Sequence, residues 1–258
     1  MIVLLPPSES KHEPRRGARL ALDALSFPEL TTARQEVLTE LMATSARPDA
    51  CRLLDVSPGL ADVVARNQRL REMPTAPAGQ IYTGVLYDAL DLATLDAAAR
   101  ARATRRLVVV SALFGALRMK DRIPPYRLAM GVSLPTLGAL AAMWRPHLEP
   151  VLTAAAGSGL VIDGRSAAYQ AAWVPRGDLA ERWVHLRVPG VSHAAKHTRG
   201  LVARAVCRHT GSITSVPALA RALEPDFAVT VHRPSRPGKG WTLDVTAREL
   251  SPVSGASH

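Results

Sequence analysis

Short apolar-rich runs closed by turn-forming residues recur at four places in the chain: Ile2–Leu5, Leu107–Val110, Leu160–Ile162 and Val184–Val188. Their length and β-branched content predict buried strands. Between them the apolar positions fall at a helical period. Thr31–Thr44 places Ala33, Val37, Leu38, Leu41 and Met42 on one face. Leu137–Ala154 is helical around Trp144, with Pro146 and Pro150 expected to start a new helix or kink the old one. Ser192–His209 predicts a helix with Ser192 as N-cap. Phe227, Val229 and Val231, then Trp241, Leu243 and Val245, alternate on either side of "RPSRPGKG", which predicts a β-hairpin with a basic tip. Residues 251–258 read as a disordered tail. No repeat or long linker divides the chain. The expected fold is a mixed α/β single domain over residues 1–250, with a central sheet flanked by helices and a C-terminal β-hairpin.

With 258 residues, 47% of them apolar, the chain can bury one large core. Its two cysteines, Cys51 and Cys207, are far apart, which argues against a disulfide framework and for a reducing cytoplasm. The start, "MIVLLPPSES", lacks a basic leader. The longest apolar run, Leu107–Leu117, is well short of the ~18 residues a membrane span needs. A cytoplasmic protein with no membrane partner, monomeric, is expected. Charge changes the picture most. Thirty-two Lys plus Arg against 22 Asp plus Glu leave a formal net charge of +10. Such a field attracts polyanions, nucleic acid first and a phosphorylated small molecule second. GC-rich coding also enriches Arg and Ala, but does not by itself produce an excess of positive over negative charge.

In open α/β sheets ligands sit beyond the carboxyl ends of strands. Three strand-ending loops carry polar groups: Ser8-Glu9-Ser10-Lys11, Arg118–Arg127 and Asp163-Gly164-Arg165-Ser166. If their strands are parallel neighbours, the loops line one cleft. The middle loop is the most basic, with Arg118, Lys120, Arg122 and Arg127 against Asp121, and is stiffened by Pro124 and Pro125. Glu9 and Asp163 are candidate acids or bases, or ion partners for Lys11 and Arg165. Pro58-Gly59, inside Val56–Val64, suits a helix-hairpin-helix turn whose amides meet a phosphate, although such turns are often only connections. "GLVIDGRS" (Gly159–Ser166) has P-loop lettering, but its middle is a strand and cannot wrap a phosphate. His193 and His197 have zinc-ligand spacing, yet Ala194 stands where a catalytic Glu would be, so they read as surface histidines. No metal site, cofactor site or nucleophile elbow is expected.

The chain resembles the YaaA family of bacterial peroxide-stress proteins. Ser111, Leu113, Gly115, Leu117, Arg118, Asp121, then Pro125-Tyr126-Arg127-Leu128 and Met130-Gly131 follow the family's most specific pattern in order. Supporting matches are Pro7-Ser8-Glu9-Ser10-Lys11, Tyr82-Thr83-Gly84, Trp144, Ser166 with Tyr169, and Lys196 with Arg199-Gly200. The resemblance implies a mixed α/β fold with a positively charged cleft and a helix-hairpin-helix element. It also implies DNA binding, and a role in limiting oxidative damage linked to intracellular iron. Four positions depart from the pattern: Ala129 and Ala168 stand where the family has Glu, Phe114 replaces a Tyr and Met119 a Pro. Losing two carboxylates weighs towards binding over chemistry.

The first expectation is therefore a DNA-binding stress protein. Lys11, Arg118, Lys120, Arg122, Arg127, Arg165, Ser166, Tyr169, Lys196 and Arg199 would line the cleft, with Tyr126 available to stack on a base. The alternative is an enzyme on a nucleotide, nucleobase or damaged DNA base, centred on Ser8, Glu9, Lys11, Asp163 and Tyr126. Direct iron sequestration lacks a ligand cluster.

Overall fold

A computed structural model describes residues 1–190, 192–236 and 238–248. Among these, the central sheet has seven strands: β1 (Ile2–Leu5), β2 (Leu107–Ser111), β3 (Gly115–Leu117), β4 (Val161–Asp163), β5 (Trp183–Arg187), β6 (Phe227–His232) and β7 (Trp241–Ala247). Their order across the sheet is β6-β7-β5-β4-β1-β2-β3. The five inner strands are parallel, and β3 and β6 cap the edges antiparallel. β1 and β2 are buried along their whole length, which explains why they read as unbroken apolar runs and not as alternation. The hairpin appears as β6 and β7, with Phe227 opposite Ala247 and His232 opposite Thr242. Pro237 of its tip, the 251–258 tail and the side chain of Ser192 lie outside the described residues.

The helices that matter for the site are α1 (Thr31–Ser45), α2 (Ala61–Arg66), α3 (Val85–Leu90), α4 (Ala97–Arg106), α5 (Leu140–Ala156), α6 (Ser192–Arg208) and α7 (Val216–Leu223). Helix α5 runs unbroken through Pro146 and Pro150. Both prolines face solvent, where water can serve the carbonyls their missing N–H groups leave free. The buried face of α5 carries Trp144, whose Nε1 donates to the Ala112 carbonyl at 2.7 Å. Gly115 begins β3 at φ +69°, and a Cβ there would sit 2.6 Å from the Trp144 ring. Only glycine serves both needs.

Helices α3 and α6 pack closely against each other. Their approach depends on Gly200, where a Cβ would lie 2.1 Å from the Leu86 carbonyl oxygen. That contact sets the position of the first two turns of α6, which carry Lys196 and Arg199.

Candidate functional site

β1 and β4 are adjacent and parallel, so the chain leaves both at the same edge of the sheet. A cleft of about 460 Å³ opens there. It is lined by the Pro6–Lys11 turn after β1, by Ser166, Ala168 and Tyr169 after β4, by residues 127–131, and by Lys196 and Arg199 of α6. Four of these side chains are basic: Lys11, Arg127, Lys196 and Arg199. Among the described residues, Glu9 is the one carboxylate lining the cleft. Ala129 and Ala168, the positions where the family pattern carries Glu, both line it.

Lys11 is held by strand-like pairing. It bridges to Tyr82, while His12 N–H donates to the Ile81 carbonyl at 2.8 Å. Its Nζ donates to the Ser8 carbonyl at 2.6 Å and lies 4.4 Å from the centre of the Tyr126 ring. Burial, and then the charge of Arg127, pull its pKa down from 10.5 to about 7, against the opposing pull of Glu9. Glu9 itself is exposed and accepts from Arg127 Nη2 at 3.4 Å. Tyr169 lines the cleft with its phenol pushed up to about 12, mainly by burial.

Asn67 positions Arg127, and nothing in the residue pattern marks it. Its side-chain amide donates to the Arg127 carbonyl and accepts from the Arg127 N–H, both at 2.9 Å. This is a side chain standing in for a β-partner at a buried spot, recognisable only once the two segments are adjacent.

The structure separates the other expected residues from the cleft. Tyr126 is 4% exposed, and its hydroxyl bonds Ser111 Oγ at 2.7 Å and Tyr82 at 3.0 Å, so it has no free face for stacking on a base. Asp163 and Arg165 are both 0% exposed and form a bidentate pair, with Nε and Nη2 each 2.8 Å from a carboxylate oxygen. Arg165 also donates to the carbonyls of Tyr169 and Trp173, so the pair shapes the cleft wall from behind. Of the two sequence readings of Asp163, ion partner and acid/base, the geometry is that of the ion partner.

Arg118, Lys120 and Arg122 do not join Arg127. β2 ends at the cleft edge, but β3 runs back antiparallel and delivers Arg118 to the opposite edge. There Arg118 Nη1 donates to the Arg105 carbonyl at 2.6 Å, at the end of α4. Asp121 accepts from the Arg118 N–H and from Ser26 N–H and Oγ. Arg122 donates to the Thr75 carbonyl, and Lys120 lines a separate hollow with Arg100, Asp88 and Asp91. The chain then returns, through Pro124 and Pro125, to put Arg127 at the cleft.

Pro58 opens a 3₁₀ turn, with Gly59 N–H bonded to Ser57 Oγ, and leads into α2. Leu60, Val63 and Arg66 line a second hollow, about 380 Å³, which shares Glu9, Ser10, Lys11 and Arg127 with the cleft and is also lined by Tyr126. His193 and His197 are exposed on α6. Among the described residues, no three His, Cys, Asp or Glu side chains converge as a metal site, and no helix is long and apolar enough to cross a membrane.

The family model for the peroxide stress protein YaaA matches residues 1–230. The chain belongs to the YaaA family. A UPF0246 protein of Streptomyces coelicolor is 50% identical, over 97% of this chain and 100% of its own length. UPF0246 proteins of Corynebacterium efficiens and Corynebacterium glutamicum are 41% and 39% identical, each over 79% of this chain and 84% of their own lengths. Membership places the chain among peroxide stress proteins and agrees with the ordered match from Ser111 to Gly131.

Proposed function

We propose that the protein binds DNA as part of the peroxide stress response, holding backbone phosphates in the cleft at the carboxyl edge of the sheet. The observation that carries this reading is four basic side chains against one carboxylate in a single cleft. The two alanines at positions 129 and 168 remove acids that would repel phosphate, so the cleft becomes positively charged. Arg127, Lys196 and Arg199 serve as the permanent cations, and Ser8, Ser166 and Tyr169 supply hydroxyl groups. The Pro58-Gly59 turn and α2 act as the helix-hairpin-helix element, a second contact beside the first.

Affinity for a duplex, measured by fluorescence anisotropy against salt concentration, tests this. The log–log slope should shrink by about one unit for each phosphate contact removed, so the Lys196→Ala/Arg199→Ala pair should lose about two. An unchanged slope in that pair overturns the cleft as the binding site.

A further inference from the structure

We infer that Lys11 is an amine nucleophile that forms an imine with the carbonyl carbon of a phosphate-bearing aldehyde or ketone held in the cleft. For its substrate the inference rests on the anion-binding reading above. For its chemistry it rests on the surroundings of Lys11.

A lysine that only contacts phosphate would stand in solvent, as Lys196 does. A lysine that only holds the fold would have its donors met by carboxylate or carbonyl oxygens. Lys11 is half-buried, and its one short hydrogen bond leaves donors over. Its Nζ donates to the Ser8 carbonyl at 2.6 Å and, at 3.5 Å, to the Glu9 carbonyl, and lies over the rings of Tyr126 and Tyr82, at 4.4 and 5.7 Å from their centres. Glu9 has turned its carboxylate to Arg127. Lys11 lines both the main cleft and the second hollow, so it can be reached from either. Its backbone is pinned to Tyr82, which fixes where the amine sits.

The charges facing it are Arg127 and Glu9, the titratable rings beneath it are Tyr82 and Tyr126, and across the second hollow Glu13 and Arg66 pair with each other. Burial first, and then the charge of Arg127, bring the amine down to a pKa of about 7 against the opposing pull of Glu9. About half is then neutral at neutral pH, against roughly one in a few thousand for an ordinary lysine. Desolvation and a neighbouring cation are the usual ways a lysine becomes nucleophilic.

The neutral nitrogen adds its lone pair to the carbonyl carbon, and a proton passes from nitrogen to oxygen to give a carbinolamine. Loss of one water leaves the C=N bond. Nothing is oxidised or reduced. Arg127, Lys196 and Arg199 would hold the phosphate. A carbonyl carbon close to a phosphate occurs in free sugar phosphates and in the ring-opened sugar of a nucleic-acid strand that has lost a base.

The experiment incubates the full chain separately with glyceraldehyde 3-phosphate, with unphosphorylated glyceraldehyde and with a duplex containing an abasic site. Sodium borohydride then reduces any imine, and mass spectrometry maps the adduct among Lys11, Lys120, Lys196 and Lys239, the only lysines present. The expected result is one adduct, on Lys11, with a labelling rate that rises through about pH 7. Phosphorylated substrate should label faster than unphosphorylated, and Lys196→Ala/Arg199→Ala should erase that difference. Labelling of the abasic duplex points to nucleic acid as the source, and labelling of the triose alone to a small metabolite. Labelling spread evenly over the four lysines, or a rate that climbs only towards pH 10, overturns the inference. Lys11→Arg should remove the adduct, but the mapping and the pH profile on the unaltered chain decide without it. Intact duplex bound with salt dependence but no adduct would sink only this inference. An adduct without duplex binding would sink only the DNA-binding reading.

Discussion

Arg118 and Arg127 belong to one basic stretch of sequence, yet they lie at opposite edges of the parallel strands. Arg118 is tied to the Arg105 carbonyl and stacks against Phe27 at 5.1 Å. Arg127 is fixed through its backbone by Asn67, and its guanidinium, at the cleft, meets among the described residues only the exposed carboxylate of Glu9, at 3.4 Å. The same split runs through the molecule. Arg34 is fully buried and donates to the carbonyls of Phe114, Ala116 and Ser26. Arg102 and Arg106 donate to carbonyls at the end of α6, and Arg204 to those of Leu90 and Asp91. Much of the arginine excess thus supplies donors to carbonyls that helix and strand ends leave unpaired. A net charge counts these groups and the cleft groups alike, so it overstates how much of the surface is arranged for a polyanion.

The largest effect expected from breaking this contrast is at the buried pair. Asp163→Asn leaves Arg165 without a counter-charge in the interior and should cost about 3–5 kcal/mol in denaturant unfolding. The salt slope of the molecules that remain folded should not change. Next comes Gly200→Ala. The added methyl meets the Leu86 carbonyl and should cost about 1–3 kcal/mol. Because α6 must move, DNA affinity should fall as well, coupling stability to binding at a residue that touches no ligand. Asn67→Ala, which unpairs the Arg127 N–H and carbonyl, should cost about 1–3 kcal/mol; affinity measured beside it tells whether Arg127 needs that support.

The direct comparison is smaller. Arg118→Ala should lose about 1 kcal/mol of stability and keep the salt slope. Arg127→Ala should stay within about 0.5 kcal/mol and lose about one unit of slope. The reverse pattern would dissolve the contrast. The smallest effect is on pH. Lys11 is charged below about pH 7 and neutral above it. Duplex affinity should therefore decline as pH rises through that value, and Lys11→Met should remove this component of the pH dependence.

Fold class was legible because β1, β2, β4 and β5 are short, apolar and closed by turn chemistry, and because β6 and β7 alternate. What escaped was β3, whose Gly-Ala-Leu continues an apolar run and shows no break to the eye. Missing that reversal is what placed Arg118, Lys120 and Arg122 in the cleft. Lys11, Arg127, Ser166, Tyr169, Lys196 and Arg199 were within reach of pattern and resemblance, and the structure brings them together. Burial was not. Tyr126, Asp163 and Arg165 are the residue types a site uses, and only packing shows that they are internal. Asn67 carried no signal because its partner, Arg127, is distant in the chain.

The centre of the sheet has a consequence for how the protein assembles. β1 precedes both of its neighbours in the chain, β2 and β4, with which it pairs through Leu107–Val109 and Val161–Asp163. Such distant pairings form slowly and leave apolar strands exposed meanwhile. Order of synthesis and order of pairing run in opposite directions here. A nascent chain carries Ile2–Leu5 unpaired on one side until Asp163 has followed, and the cleft closes only when α6 arrives. A ribosome-bound fragment ending before β4 should leave the β1 amides that face β4 unprotected against hydrogen exchange, and it is there that a chaperone would find its handle.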